Sequence, residues 1–308
     1  MDAGFWRGLR EHVSTTEEDG GFHAKRLDEL SQPKADKAWL WGANPIHGNT
    51  IADQEEYKEA VRLMLGTGGP QVPTLCRYCG ECTLDTGGVH ASKCAKGQAT
   101  KRHNKIAKVI HAFAQKIDPD AETEPENLVA SKPKDRPADV LTAADGRLSA
   151  FDIGVTSVDQ GCSGGDAADK MFNKKKSERE GIRAELSAQG ISYVPLTMSG
   201  FGTMHSQMDD TVKKIAKNVA RSKGWKIRAV ERQLRSRIHT AMWKGNARMS
   251  LATWYKDDVN IDDIDIEIKS EVGDEQTWQH WEEWKDWDGC AHCSGEEDED
   301  DEETEGVT

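Results

Sequence analysis

The chain has no long apolar run. No stretch approaches the roughly 18–20 apolar residues that a bilayer crossing needs, and the opening "MDAGFWRGLREHVSTTEEDGG" has no apolar signal core. Neither a membrane span nor a secretory leader is expected, so the thiols should stay reduced in an intracellular setting. Apolar bulk is also scarce. Aromatic residues make up 6% and hydrophobic residues 36%, against 31% charged. With a mean hydropathy of −0.74, this fits a limited core accompanied by sequence that does not fold. Scattered cysteine is missing too: six of the seven fall in two tight groups, residues 76–94 and 290–293. In a reducing compartment, such grouping reads as metal ligation rather than disulfides.

Acidic residues are nearly absent from one region and crowd another. Residues 212–256 hold 13 Lys and Arg against one Glu, whereas residues 257–308 hold 22 Asp and Glu against two Lys. The overall charge of −13 therefore conceals a body of +7 and a tail of −20. A basic body suits nucleic acid, although the same lysines and arginines would also serve simply to solvate helix faces.

Along the chain the pattern divides into six parts. Residues 1–38 are polar and flexible, and residues 39–75 form a helical linker. In the linker, Tyr57, Ala60, Val61, Met64 and Leu65 share one face of "ADQEEYKEAVRLMLGTGG". Residues 76–98 are a Cys/His knuckle. Residues 99–205 alternate helix and strand: an amphipathic helix in "RHNKIAKVIHAFAQKI", then strands in "ETEPENLVA", "RPADVLTA" and "LSAFDIGVTSV". A polar helix ending at Gly190 and a strand "ISYVPLTMS" complete this part. "AADGR" marks a hairpin between the second and third strands. Residues 206–256 are basic helices, and residues 257–308 are an acidic, Trp-rich tail expected to be largely disordered. The order predicts an α/β fold.

Cys76-x2-Cys79, ten residues, then His90-x3-Cys94 offers three soft sulfurs and one imidazole, the donor set of a closed tetrahedral structural Zn²⁺ site. Gly80 permits the tight turn after the second sulfur, and Asp85, Gly87 and Gly88 permit the reversal toward His90. Cys82 also has ligand spacing and stands as a spare. Lys101, Arg102 and His103 follow at or just before a predicted helix N-terminus, where they could meet a DNA phosphate; Thr100 or Asn104 could equally well only cap that helix. A second pair, Cys290 and Cys293 with His280 and His292 nearby, would need ligands from elsewhere. Trp278, Trp281, Trp284 and Trp287 recur every three residues and would stripe one side of a helix, for docking a partner protein or this protein's own body.

The hairpin places Asp139 on one strand and Asp152 on the next. Two close carboxylates repel unless a cation sits between them, so the pair reads as an Mg²⁺ site, with the Ile153 carbonyl and Glu124 as further oxygens. Surface acids on a solvent-facing hairpin would show the same spacing. Lys174, Lys175 and Lys176 on the following helix could polarise an attacking water.

These motifs in this order resemble the carboxy-terminal region of non-long-terminal-repeat retrotransposon proteins that carry a restriction-enzyme-like endonuclease. The resemblance spans residues 38–250. It rests on the knuckle, Arg-His-Asn, Arg-Pro-Ala-Asp, Asp-x-x-Val-Thr, a lysine-bearing helix, "AWLWGANP" before the knuckle and "RIHTAMWKGNA" after the core. It implies a CCHC zinc knuckle on Cys76, Cys79, His90 and Cys94, followed by a PD-(D/E)xK core: a mixed sheet flanked by helices. Asp139 and Asp152 would bind catalytic Mg²⁺ and Glu124 would assist. The usual lysine two positions after the second acid is Gly154 here. The role is therefore expected on the helix, at Lys176 first and Lys175 or Lys174 next. Lys213, Lys214 and Lys217 would hold the DNA backbone. The implied activity is DNA nicking, with RNA a further possible partner and a nuclear location following from the substrate. No polymerase pattern precedes the nuclease, and Tyr255-x-Asp257-Asp258 reads as chance. A nucleic-acid-binding protein that keeps the fold but not the chemistry is the alternative.

Overall fold

In the computed structural model, the described residues are 26–27, 30, 54–67, 74–84, 88–94, 96–156 and 166–254. The chain divides into two compact units, Met1–Asp257 and Asp258–Thr308. All described residues belong to the first. The Trp stripe, Cys290, Cys293 and the acidic run lie outside them.

Among the described residues the chain runs in order through α1 (Gln54–Leu65), α2 (Val89–Cys94), α3 (Lys96–Ala114), β1 (Glu122–Thr123), β2 (Val140–Thr142), β3 (Ser149–Thr156), α4 (Asp166–Glu178), α5 (Glu180–Ala188), β4 (Ser192–Ser199), α6 (Ser206–Lys223) and α7 (Ile227–Trp254). The strands form one mixed sheet in the order β1-β2-β3-β4. The first two pairings are antiparallel and β3–β4 is parallel. A parallel pair needs a crossover, and α4 with α5 supplies it.

The hairpin between β2 and β3 turns through Gly146 at φ +98°. The open amides at this end are held by Asp118, whose carboxylate accepts from the Thr142 hydroxyl at 2.6 Å and the Ala143 amide at 2.7 Å. The first expected strand is much shorter than its β-branched sequence suggested. Only Glu122 and Thr123 pair, because Glu124 and Asn127 take left-handed backbone at φ +47° and +62° and bend the chain away. The polar helix after β3 is two helices, α4 and α5, meeting at Arg179.

Phe151 and Ile153 on β3, Leu196 and Met198 on β4, and Ile106, Ile110 and Phe113 on α3 are fully buried. On another side, Ala138 and Ala150 pack with Ile182 and Leu186 of α5 and with Val129 and Ile191. The 28-residue α7 runs against α3, α1 and α6 and carries Leu234, Ile238, Met242 and Trp243 into the interior.

The face that α1 buries differs from the apolar one. Glu56, Glu59, Ala60, Leu63 and Met64 are inside, and Leu65 is exposed. α7 decides this by presenting cations and a hydroxyl to α1. Glu56 meets Lys244 at 3.2 Å and also Arg248, and Ser250 donates to Glu59 at 2.5 Å. Buried carboxylates are tolerated when paired and hydrogen-bonded in this way.

Candidate metal centre and acid–lysine cluster

The knuckle begins as a short antiparallel ribbon. Leu75 bridges Thr83, the Cys76 amide donates to the Cys82 carbonyl at 2.7 Å, and the Gly80 amide donates to the Cys76 carbonyl at 2.7 Å. Gly80 sits at φ +69°, which lets the chain reverse around the first two sulfurs. The chain then enters α2, where a spacing of four brings His90 and Cys94 to one side. The ligand atoms of Cys76, Cys79, His90 and Cys94 all lie within 4.8 Å of one another. Cys76 Sγ is 3.6 Å from Cys94 Sγ, and Cys79 Sγ is 3.5 Å from His90 Nε2. This Cys3His cluster could hold a metal such as Zn²⁺. Cys82 stays outside it and is exposed.

The sulfurs differ in how readily they ionise. The amides of Glu81 and Cys82 point at Cys79 and hold its thiol down to about 6. Burial, followed by the neighbouring sulfurs, pushes Cys94 up to about 12. A divalent cation between them would remove that conflict by favouring both thiolates. The knuckle also touches the body. The Arg77 amide donates to the Thr253 carbonyl on α7 at 3.0 Å, and α2 packs against α7 and α3.

Asp139 immediately precedes β2. Val140 pairs with Phe151, so continuing the register by one residue sets Asp139 opposite Asp152. Its own carbonyl accepts from the Glu124 amide at 2.9 Å. The Asp139 carboxylate takes up the ladder instead: Oδ2 accepts from the Ile153 amide at 2.6 Å, and Oδ1 lies 2.8 Å from His103 Nε2. Across the pair, Asp152 Oδ1 accepts from Lys175 Nζ at 2.6 Å, and Oδ2 accepts from the Tyr193 hydroxyl. Burial, then the Asp152 charge, drives the Tyr193 phenol above its ordinary range; Asp139 acts in the same sense and Arg179 against it. Both acids, Tyr193 and Arg179 thus share one electrostatic neighbourhood.

Of the three candidate lysines, Lys175 is the one on the acids. Lys176 turns away, its ammonium 5.8 Å from the centre of the Phe172 ring, and Lys174 pairs with Glu178 at 3.8 Å. Successive helical side chains point about 100° apart, so only one of three adjacent lysines can face the sheet. Gly154 explains how Lys175 arrives. A Cβ there would lie 2.6 Å from Lys175 Cε and 3.2 Å from Met171 Cγ. The lysine stem occupies the space that a side chain two positions after Asp152 would fill.

Other expected site residues fall elsewhere. Glu124 is exposed and ion-paired with Arg136, which also holds Glu126 at 2.6 Å. The Arg-His-Asn segment is not at a helix start, because α3 begins at Lys96 and includes Thr100 to Asn104. Lys101 is exposed, but Arg102 is buried and bonds to Asn246 of α7. Burial lowers the Arg102 guanidinium to about 10. Asn246 in turn donates to the Gly200 carbonyl at 2.6 Å, so the Gly-Asn pair of the last helix locks onto α3. Arg102 therefore positions helices and is not available to a phosphate, and His103 serves Asp139. Lys213, Lys214 and Lys217 are exposed on α6, with Lys213 paired to Asp209 at 2.9 Å. Tyr193 escaped sequence reasoning; its only signal was register, two residues before the Pro195 that pairs with Asp152.

No protein-family model matches this chain, and no curated protein matches it either.

Proposed function

We propose that the chain is a retroelement-type, metal-dependent DNA endonuclease, in which a zinc knuckle precedes a restriction-endonuclease-like core. The observation that carries this reading is the Asp139–Asp152–Lys175 cluster. Two acids stand opposite each other at one end of β2–β3, with an ammonium 2.6 Å from the second. A mixed sheet flanked by helices, with the acids on an antiparallel pair and the lysine on the crossover helix, supports the fold assignment.

The donor set suits Mg²⁺, a hard cation that prefers carboxylate oxygens and retains several waters. Asp139 and Asp152 would hold it. When bound, it would supply positive charge at the phosphate under attack and make the nucleophilic water more acidic. The remaining functions belong to the chain. The Ile153 amide and His103 hold the Asp139 carboxylate in one orientation, and Tyr193 does the same for Asp152. Lys175 balances charge beside Asp152 and would hold a water by its ammonium hydrogens. Lys101 and the exposed lysines of α6 would bind the DNA backbone without reading its sequence.

A second reading, a nucleic-acid-binding protein without chemistry, draws on the fact that every Asp139 and Asp152 oxygen has a protein partner. Plasmid nicking separates the two. Supercoiled DNA should open in Mg²⁺ with wild type, and not in EDTA or with Asp139→Ala, Asp152→Ala or Lys175→Ala. Wild type that binds DNA but leaves it intact in Mg²⁺ and Mn²⁺ would establish the second reading.

A further inference from the structure

Two basic side chains lie against one buried aromatic ring and a third is within electrostatic reach of the first, about 15 Å farther along α3 than His103 if the helix rises 1.5 Å per residue. Lys116, just beyond α3, lies with Nζ 5.6 Å from the centre of the buried Phe113 ring and 5.5 Å from that of Trp225. Arg237, on α7, places its guanidinium carbon 5.9 Å from the same Phe113 ring. Lys223 closes α6 two residues before Trp225 and is near enough to act on Lys116. Burial lowers the Lys116 ammonium, and the charges of Arg237 and Lys223 lower it further.

Arg237 is half-buried, and among the described residues its guanidinium faces the Phe113 ring and no carboxylate. The ring takes none of the guanidinium's five N–H donors, and none of the Arg237 nitrogens is buried, so those donors stay open to an accepting group. Gathering two further cations beside it raises the local potential. A site of this kind gains most from a dispersed, multiply accepting anion.

We propose that Lys116, Lys223 and Arg237, set around Phe113 and Trp225, form a phosphate seat that takes a backbone phosphodiester of DNA. The phosphate chemistry follows from the three cations; DNA as its source rests on the endonuclease reading. Exposed Lys213, Lys214, Lys217 and Arg221 extend the same charge along α6.

The test is binding of a short fluorescent duplex to the full chain in Mg²⁺-free buffer, across a salt series. Each of Arg237→Gln and Lys116→Gln should reduce the dependence of log affinity on log salt by about one unit, the signature of one lost phosphate contact. Arg237→Lys should keep part of the slope, and Lys132→Gln, on an exposed turn, should keep all of it. Melting curves identify a variant that fails to fold, and Lys116→Gln, beyond the end of its helix, covers that case for Arg237. Unchanged slopes in both variants overturn the seat while leaving the nicking result, and the reading it tests, intact. If wild type binds no duplex, the DNA assignment fails and tripolyphosphate decides the seat. Thermal stabilisation present in wild type and lost in Arg237→Gln upholds a seat for free polyphosphate; equal stabilisation overturns it.

Discussion

The knuckle and the body keep their shape by opposite means. Residues 74–94 carry little apolar bulk: Leu84 and Ala91 are buried, but Leu75 and Tyr78 are exposed. Their order comes from a few backbone bonds and four potential ligands around one point. The body closes over the buried side chains of Phe113, Phe151, Leu196, Ile238 and Trp243. A small segment can replace a hydrophobic core by metal coordination, and it then becomes separately removable. The body cannot be dismantled locally in this way, and it holds its charged groups in place by packing.

Four experiments probe that contrast, beginning with the greatest effect. Stripping metal, or substituting Cys94→Ser, should take bound zinc to near zero and raise protease cleavage within residues 74–94 by about tenfold or more, since structural zinc contributes an apparent ~10–16 kcal/mol. The far-UV helix signal of the body should remain. Loss of that signal together with the knuckle would show that the two are not independently held.

Next come the fixed charges of the body. Asp139→Ala or Asp152→Ala should lower nicking by about a hundredfold or more, as removal of a preorganised electrostatic group does. Lys175→Ala should behave similarly, and Lys176→Ala should change the rate by less than about threefold, within the range of a surface charge. A larger loss from Lys176→Ala than from Lys175→Ala would refute the placement across Gly154.

A third test uses the lock between α3 and α7. Ala in place of an interior helical glycine ordinarily stabilises by about 0.5–1 kcal/mol. A Cβ at Gly245 would fall inside the aliphatic stem of Arg102, so Gly245→Ala should instead destabilise by about 1–3 kcal/mol, as overpacking does. Thermal melts of Gly245→Ala, Arg102→Ala and the double variant check this. The double variant should cost clearly less than the two singles together.

The smallest effect lies within the knuckle. In metal-free protein, iodoacetamide at neutral pH should label Cys79 before Cys94, because amide donors favour the Cys79 thiolate and burial opposes that of Cys94. The Cys79 rate should fall as pH drops through about 6, where the thiolate takes a proton. Peptide mass mapping reads the order, and labelling of Cys94 first would contradict the electrostatics.

Much of the fold was legible residue by residue. The spacing of Cys76, Cys79, His90 and Cys94 depends on local turns and one helical repeat, which sequence carries directly. Helices α3 and α6 follow from apolar periodicity, α7 from a long basic stretch free of proline, and β3 and β4 from β-branched runs between glycines. The β2–β3 hairpin follows from Ala-Asp-Gly. Register then brings Asp139 and Asp152 opposite each other by arithmetic alone.

Tertiary structure decided the rest, because each of those outcomes depends on a surface supplied from a distant part of the chain. Periodicity alone gave α1 an apolar inner face; α7 shifted it to take in Glu56 and Glu59, which meet Lys244, Arg248 and Ser250. Arg102 had the composition of a phosphate ligand, but Asn246 and Gly245 drew it into a helix interface. The family pattern put Lys176 ahead of its two neighbours, but α4 docks on β3 with the rotation that brings Lys175 to Asp152 and requires a glycine at position 154. Tyr193 and His103 reached the acids only when β4 and α3 were in place. Local sequence sets periodicity and ligand spacing, whereas the pairing of a charge is settled by whichever distant group the packed fold brings within about 3 Å of it.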